Sequence, residues 1–234
     1  MNTLKLNHVH RTIGLAAIGA LALAGCGTGG GGSSSESSSE TSICKKEASD
    51  KTTIDSAPKV EWKERVNGVK APESKEFGPE KVNGDKVPSC FEHSPEGALL
   101  ASTNYISAIM STDKDYIIKV FKQQGNDRAK SDKTINHLNN VGTSEEERNK
   151  FRGKIQVAGY KVTEYSKDRA KIGVILSYDG QQDYLKLTPA IEWQDSDWKL
   201  AVDSGDKSTL SSDDVKSSDE FTKWGPNVSE GSSS

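Results

Sequence analysis

The residues able to do chemistry in this chain are few. Its three cysteines are Cys26, Cys44 and Cys90, and its four histidines are His8, His10, His93 and His137. Two cysteines alone supply too few ligands for a metal. His93 stands between Glu92 and Ser94, residue types that acid–base and nucleophilic chemistry use. No third group that would orient the histidine is identifiable, and packing or capping at a helix entrance accounts for it. His137 lies in a polar stretch and reads as a surface residue. Asp195 and Asp197 flank Ser196 and suit a hairpin turn. Residues 203–214 (DSGDKSTLSSDD) have the acidic look of a calcium loop, but the central glycine and the final glutamate are missing. No G-x-S-x-G elbow is present. Glu164, Asp183 and Glu192 are the acidic groups expected on strands, and solvent exposure explains all three. The sequence therefore predicts no catalytic residue, no metal site and no cofactor: a protein that is not an enzyme. Trp193 and Trp198, with Tyr105, remain as a candidate pocket or interface, although two tryptophans across one hairpin also satisfy cross-strand packing. Trp224 is expected to clip the C-terminal arm.

The chemistry of Cys26 depends on what precedes it. Residues 1–12 carry Lys5 and Arg11 and no acid, and residues 13–25 (IGLAAIGALALAG) carry no charge. A basic start, a short apolar run and small residues before a cut describe an export signal. The run is shorter than the roughly 20 residues a membrane-spanning helix needs. Leu23-Ala24-Gly25-Cys26 resembles the lipobox of bacterial lipoproteins. That resemblance implies a diacylglyceryl thioether on Cys26 with palmitate-type acyl chains, cleavage before it, and residence on the extracytoplasmic face of the cell membrane. Two acyl chains hold a protein stably, at about 0.8 kcal/mol per buried methylene. With Cys26 lipidated, Cys44 and Cys90 form an even pair in an oxidising compartment, and a disulfide between them is expected.

Loss of residues 1–25 moves the formal net charge from −3 to −5, since that segment holds two basic residues and no acid. A mildly acidic chain offers no electrostatic case for nucleic acid.

The elements that would position these groups are legible as four regions: a signal peptide (1–25), a flexible Gly/Ser-rich tether (26–57), one α+β domain (58–226) and a disordered tail (227–234). Residues 58–93 read as an irregular arm with one short hairpin. Asn67-Gly68 and Asn83-Gly84 give turns, prolines interrupt any helix, and Trp62 and Phe77 pin the arm to the core. Ser94-Pro95-Glu96 is a helix start, followed by an apolar stripe through Leu99, Ile106 and Met110. A second helix begins at Thr112 or Asp113 and ends before Gly125. A third starts at Ser131, and a fourth piece covers 144–152. Beyond Gly153 the period becomes two, and 154–166, 169–178, 182–194 and 197–202 read as strands of an antiparallel meander. Gly159 is expected to mark a bulge and Pro189 an irregularity or edge. Residues 203–220 read as a polar loop. The fold class is α+β, with N-terminal helices packed in a curved, cone-like, four-stranded antiparallel sheet.

Helices followed by such a meander resemble the nuclear transport factor 2-like fold, which implies a concave pocket without fixing a function. Phe91-Glu92-His93-Ser94-Pro95-Glu96-Gly97-Ala98, Phe77-Gly78-Pro79, Ile191-Glu192-Trp193 with Asp197-Trp198-Lys199-Leu200, and Lys223-Trp224-Gly225-Pro226 are similar to an uncharacterised family of exported actinobacterial proteins found with conjugative elements. In that pattern glycine is usual where Cys90 and Ser196 stand here. The resemblance implies a non-enzymatic binding or assembly role near a conjugation or secretion apparatus, with the membrane and an envelope protein as partners. A small apolar ligand held in the sheet's concavity is the alternative.

Overall fold

The computed structural model describes residues 42–140, 146, 149–150, 153–179, 184–203 and 210–228. They form a mixed α+β domain whose first residues differ from expectation. Residues 42–57, read as tether, are laid against the domain. Ile43 is buried in a short 3-10 turn (Ile43–Lys45), and Ile54 and Ala57 pack on the core. Their polar composition hides this, because two or three apolar side chains and one covalent link are enough to fix the segment.

Two hairpins follow where one was expected. Strands β1 (Glu61–Glu64) and β2 (Lys70–Glu73) pair antiparallel, as do β3 (Lys81–Val82) and β4 (Pro88–Ser89). Asn67 and Gly68 turn the first pair with φ of 56° and 78°, the left-handed geometry that Asn-Gly adopts readily. In the second loop the Asn83 Oδ1 accepts from the backbone N–H of Asp85 and Val87. On the first hairpin Glu73 receives Lys63 Nζ at 2.7 Å and Arg65 Nη1 at 2.6 Å. Burial alone pushes the Glu73 carboxyl up, but these two cations outweigh it and hold it below its usual 4.5. A depressed folded value means the contribution is present above pH 4.5 and lost as pH falls through that lower value. Amide protection factors across residues 61–73 are therefore expected to fall as pH drops below 4.5 while those in the main sheet hold, and a uniform change would contradict the assignment.

Helix α1 (Pro95–Met110) starts as the sequence predicts. Ser94 Oγ accepts from the Gly97 N–H at 3.0 Å and Pro95 occupies the first turn. Every residue from Pro95 to Ala108 is buried, because α1 lies between the main sheet and the β1–β2 hairpin. Side chains tie it to the hairpin: Asn104 Nδ2 donates to the Pro72 carbonyl and Ser107 Oγ to that of Lys70. Helix α2 (Lys114–Gln124) is capped by Asp113. A four-residue helix α3 (Asp127–Lys130), capped by Asn126, precedes α4 (Asp132–Asn140) and has no counterpart in the sequence reading. The piece expected over 144–152 lies largely outside the described residues.

The main sheet has six strands, not four. Strands β5 (Ile155–Tyr165), β6 (Arg169–Tyr178), β7 (Tyr184–Gln194) and β8 (Asp197–Leu200) form the expected meander. Strand β9 (Leu210–Val215) pairs with the first half of β7, beside β8 on the same edge, and β10 (Thr222–Lys223) adds to β5. Ser211 to Asp214 are all exposed, so β9 is held by backbone pairing and shows no apolar alternation. The register of β5 shifts between Val157 and Gly159, and again between Val162 and Glu164. The β6–β7 ladder is interrupted between Lys171–Ala190 and Val174–Leu187, around Pro189, which has no N–H to donate. At the chain's end Trp224 packs on Trp62 (ring centroids 4.9 Å apart) and donates from Nε1 to the Pro58 carbonyl at 2.9 Å. Gly225 is required there, since a Cβ would lie 2.0 Å from the Val157 carbonyl oxygen.

Candidate functional site

The entrance to α1 gathers most of the residues that sequence reasoning singled out. Cys44 and Cys90 form a disulfide, with Cα atoms 4.9 Å apart. Cys90 has a φ of 64°, which a side-chain-bearing residue adopts at a cost. Asp197 holds this turn in place. Its Oδ2 accepts from the Cys90 N–H and its Oδ1 from the Phe91 N–H, both at 2.9 Å, and Oδ1 also meets the Trp198 N–H at 3.0 Å. Lys199 Nζ lies 3.7 Å from Oδ2 and donates to Gln124 Oε1 at 2.9 Å. The turn itself is Asp195-Ser196, both left-handed, whereas Asp197 is buried. Burial pushes the Asp197 carboxyl above its usual value despite the three backbone donors and Lys199.

After Phe91 the chain passes Glu92 and His93. The His93 ring stacks on Trp193 at 3.7 Å and 6°, and meets Trp198 edge-on at 5.6 Å. Its Nε2 contacts the Lys167 carbonyl, and Trp198 Nε1 donates to the Glu92 carbonyl at 3.0 Å. His93 is thus a packing residue of this entrance. Gly97 lets the Glu92 backbone approach, since a Cβ there would lie 2.0 Å from its carbonyl oxygen.

The three candidate pocket residues divide. Trp198 and Tyr105 are fully enclosed core, with the Tyr105 hydroxyl donating to the Trp198 carbonyl. Burial, then the Asp197 charge, raises the Tyr105 phenol well above its ordinary value. Only Trp193 reaches the surface, under His93. The space between α1 and the sheet is filled by Leu99, Tyr105, Ile106, Ile172, Ile191 and Trp198. A cleft of about 70 Å³ at its other end touches Ile106, Met110, Ile155, Val157, Leu176 and Pro226. A drug-sized ligand requires roughly 300 Å³ or more.

Two residues the sequence reading passed over complete the entrance. Glu96, read only as part of the helix start, turns inward and is only 5% exposed. The signal was available, because Glu96 precedes Leu99 and Leu100 by three and four residues and so shares their face. Its Oε1 is met by Lys51 Nζ at 3.4 Å, while Oε2 is buried without a hydrogen-bond partner. The Tyr165 hydroxyl, from β5, is likewise buried and unpartnered. Burial first, then the charges of Glu96 and Glu92, push this phenol up to about 12. Residues 45–53 cross the start of α1 as a strap. Ser49 donates from its N–H to the His93 carbonyl, Lys46 lies 4.0 Å from Glu92, and Asp50 pairs with Lys167 at 2.9 Å.

The acidic strand residues lie outside this entrance or outside the described residues. Glu164 is exposed and paired with Lys171 at 2.8 Å, Glu192 is half-buried opposite Lys199 on β8, and Asp183 lies outside the described residues. Cys26 also lies outside them. Among the described residues no group of three or more His, Cys, Asp or Glu is placed to hold a metal, and no helix is long and apolar enough to cross a membrane.

Fold and site together define a disulfide-closed α+β domain with a strap ion-paired across the start of its central helix. The model of one family, a domain of unknown function (DUF8175), matches residues 27–223, and the chain belongs to that family. No curated protein and no solved structure matches it.

Proposed function

We propose that this protein is a lipid-anchored binding module on the extracytoplasmic face of the cell membrane, attached through Cys26 and acting without catalysis on another envelope protein. A conjugation or secretion apparatus is the machinery to which that partner would belong. The Cys44–Cys90 disulfide carries the reading. Structural disulfides persist in oxidising compartments, so this one supports export. Pairing also removes two of the three cysteines and leaves Cys26, at the end of a lipobox-like run, for lipid. The helix on a bent meander is read as a nuclear transport factor 2-like cone. Because its interior is filled by side chains, recognition falls to its outer surface and to the α1 entrance.

The test compares the native chain with Cys26→Ala in cells. The native chain is expected in the membrane fraction, to incorporate labelled palmitate and to be cleaved by protease added to intact cells. Cys26→Ala is expected to lose the label and leave the membrane fraction. A Cys26→Ala chain that stays membrane-bound, or a native chain that external protease does not reach, overturns the anchoring. Cross-linking in cells carrying the apparatus tests the partner, and recovery of none of its proteins removes that assignment.

A further inference from the structure

The outer strands of the main sheet are closed in different ways. Strand β8 is met on its outer side by the turn between α2 and α3, where Gly125 bridges to Leu200 and the Asn126 N–H donates to the Leu200 carbonyl at 2.9 Å. Strand β5 is bonded to β10 at Gly159 and Tyr160, and its register shifts beyond Val162, an irregularity that discourages further pairing. Strand β9 has neither device. Its register with β7 is unbroken from Leu210 to Val215, and the segment contains no proline, glycine or lysine. Among the described residues no strand pairs with its other side, and Ser211 to Asp214 are all exposed.

The direction of the unpaired groups follows from the ladder. In an antiparallel pair, alternate residues bond to the same neighbour. On β7 the Trp193 N–H donates to the Asp168 carbonyl, toward β6, and the Ala190 carbonyl accepts from the Ala201 N–H on the β8 side. Even-numbered residues of β7 therefore face β8 and β9. Their partners on β9 are Ser211, Asp213 and Val215, so the N–H and C=O groups of Ser212 and Asp214 point away from the sheet. Unpaired groups in this alternating order are a template for an extended chain.

Resting on the reading of the protein as a binding module, we infer that the outer edge of β9 receives an extended basic segment of the partner protein as an added strand. Charge selects that occupant. The strand carries Asp213 and Asp214 and no base. Lys186 pairs with Asp213 at 3.1 Å, and among the described residues no ion pair reaches Asp214. Leu185 stands opposite Asp214 and is 40% exposed, an apolar rest for the stem of a lysine or arginine that reaches the carboxylate. A second copy of this chain is the poorer occupant, because pairing two β9 edges brings Asp213 and Asp214 of both copies together.

The full-length chain is titrated with the blocked peptide acetyl-Thr-Lys-Val-Lys-Val-Thr-amide and with the same peptide carrying glutamate for lysine. A third probe is the lysine peptide N-methylated at its two central residues, which removes a donor from each of its edges. Binding is followed by chemical shifts and hydrogen-exchange protection of the β9 amides. The lysine peptide is expected to protect the Ser212 and Asp214 amides, and the other two probes to bind at least about tenfold more weakly. Ser212→Pro removes an outward N–H while leaving the bonds to β7, and it should weaken the lysine peptide by about tenfold. Asp214→Lys should reverse the preference between the lysine and glutamate peptides. Where Ser212→Pro displaces β9 itself, the methylated peptide on the native chain decides. Absence of protection at Ser212 and Asp214, or equal affinity for the lysine peptide and either other probe, overturns the proposal. A native dimer that Ser212→Pro breaks assigns the edge to a second copy and overturns it too. A failed titration leaves the anchoring through Cys26 and the cross-linking result standing, and failure of either leaves the titration standing.

Discussion

Replacing Cys44 and Cys90 together by serine is expected to lower the unfolding free energy by about 4 kcal/mol, the loop-entropy value for a cross-link of this span. The link joins residues 46 apart in sequence and closes a loop containing the strap and both small hairpins. Little of that loop is regular structure, so its constraint comes from the bond more than from packing. The backbone at Cys90 adds a second expectation. With φ at 64°, serine there keeps the strain whereas glycine relieves it. Cys44→Ser/Cys90→Gly should therefore be more stable than Cys44→Ser/Cys90→Ser by roughly 1 kcal/mol. Urea unfolding of the native chain and both variants measures these differences. A loss below about 1 kcal/mol on removing the bond would show that the strap and hairpins hold their places without it.

Asp197→Ala is expected to cost about 3–5 kcal/mol, the range seen when one partner of a buried charge pair is removed. It leaves the Cys90 and Phe91 N–H groups without their acceptor and the Lys199 ammonium without the carboxylate. Asp197→Asn keeps one acceptor oxygen and the side-chain shape, so it should cost less. The pH dependence has a definite sign. Burial raises the carboxyl in the folded chain, so its favourable contribution is complete below the ordinary value of 3.8 and is lost as pH rises through the elevated folded value. The stability–pH curve of Asp197→Asn should lack that decline. An alanine variant as stable as the native chain would show that the Cys90 turn needs no clamp.

The parts of this architecture that were legible in sequence are those fixed by local rules. Ser94-Pro95 and Asp113 mark helix starts because capping is a property of a few neighbouring residues, and β5 to β8 show the period of two that a half-buried sheet imposes. Strands β9 and β10 escaped because both are bonded through their backbones while Ser211–Asp214, Thr222 and Lys223 face solvent. The start of the domain was misplaced for a related reason: residues 42–57 are polar, and what fixes them is one disulfide and a few distant contacts.

At the site, types were legible and environments were not. Asp197 lies two residues from a turn aspartate of the same type, and only the return of the Cys90–Phe91 backbone makes it a buried acceptor. Glu96 satisfied a dipole rule and a core-face rule at once, and the sequence gives no means of ranking them. Lys51 meets it from 45 residues away, a distance that spacing arguments do not span. Trp193 and Trp198 were correctly placed opposite each other across the β7–β8 hairpin, but His93 fills the face that would have been open.

The most direct measurement is the intact mass of the chain extracted from the membranes of its own cells, taken before and after reduction. The expected product begins at Cys26, is heavier than the bare polypeptide by a diacylglyceryl group with or without a further acyl chain, and gains two hydrogen atoms when the Cys44–Cys90 disulfide is reduced. A product that retains residues 1–25 and carries an unmodified Cys26 would contradict it.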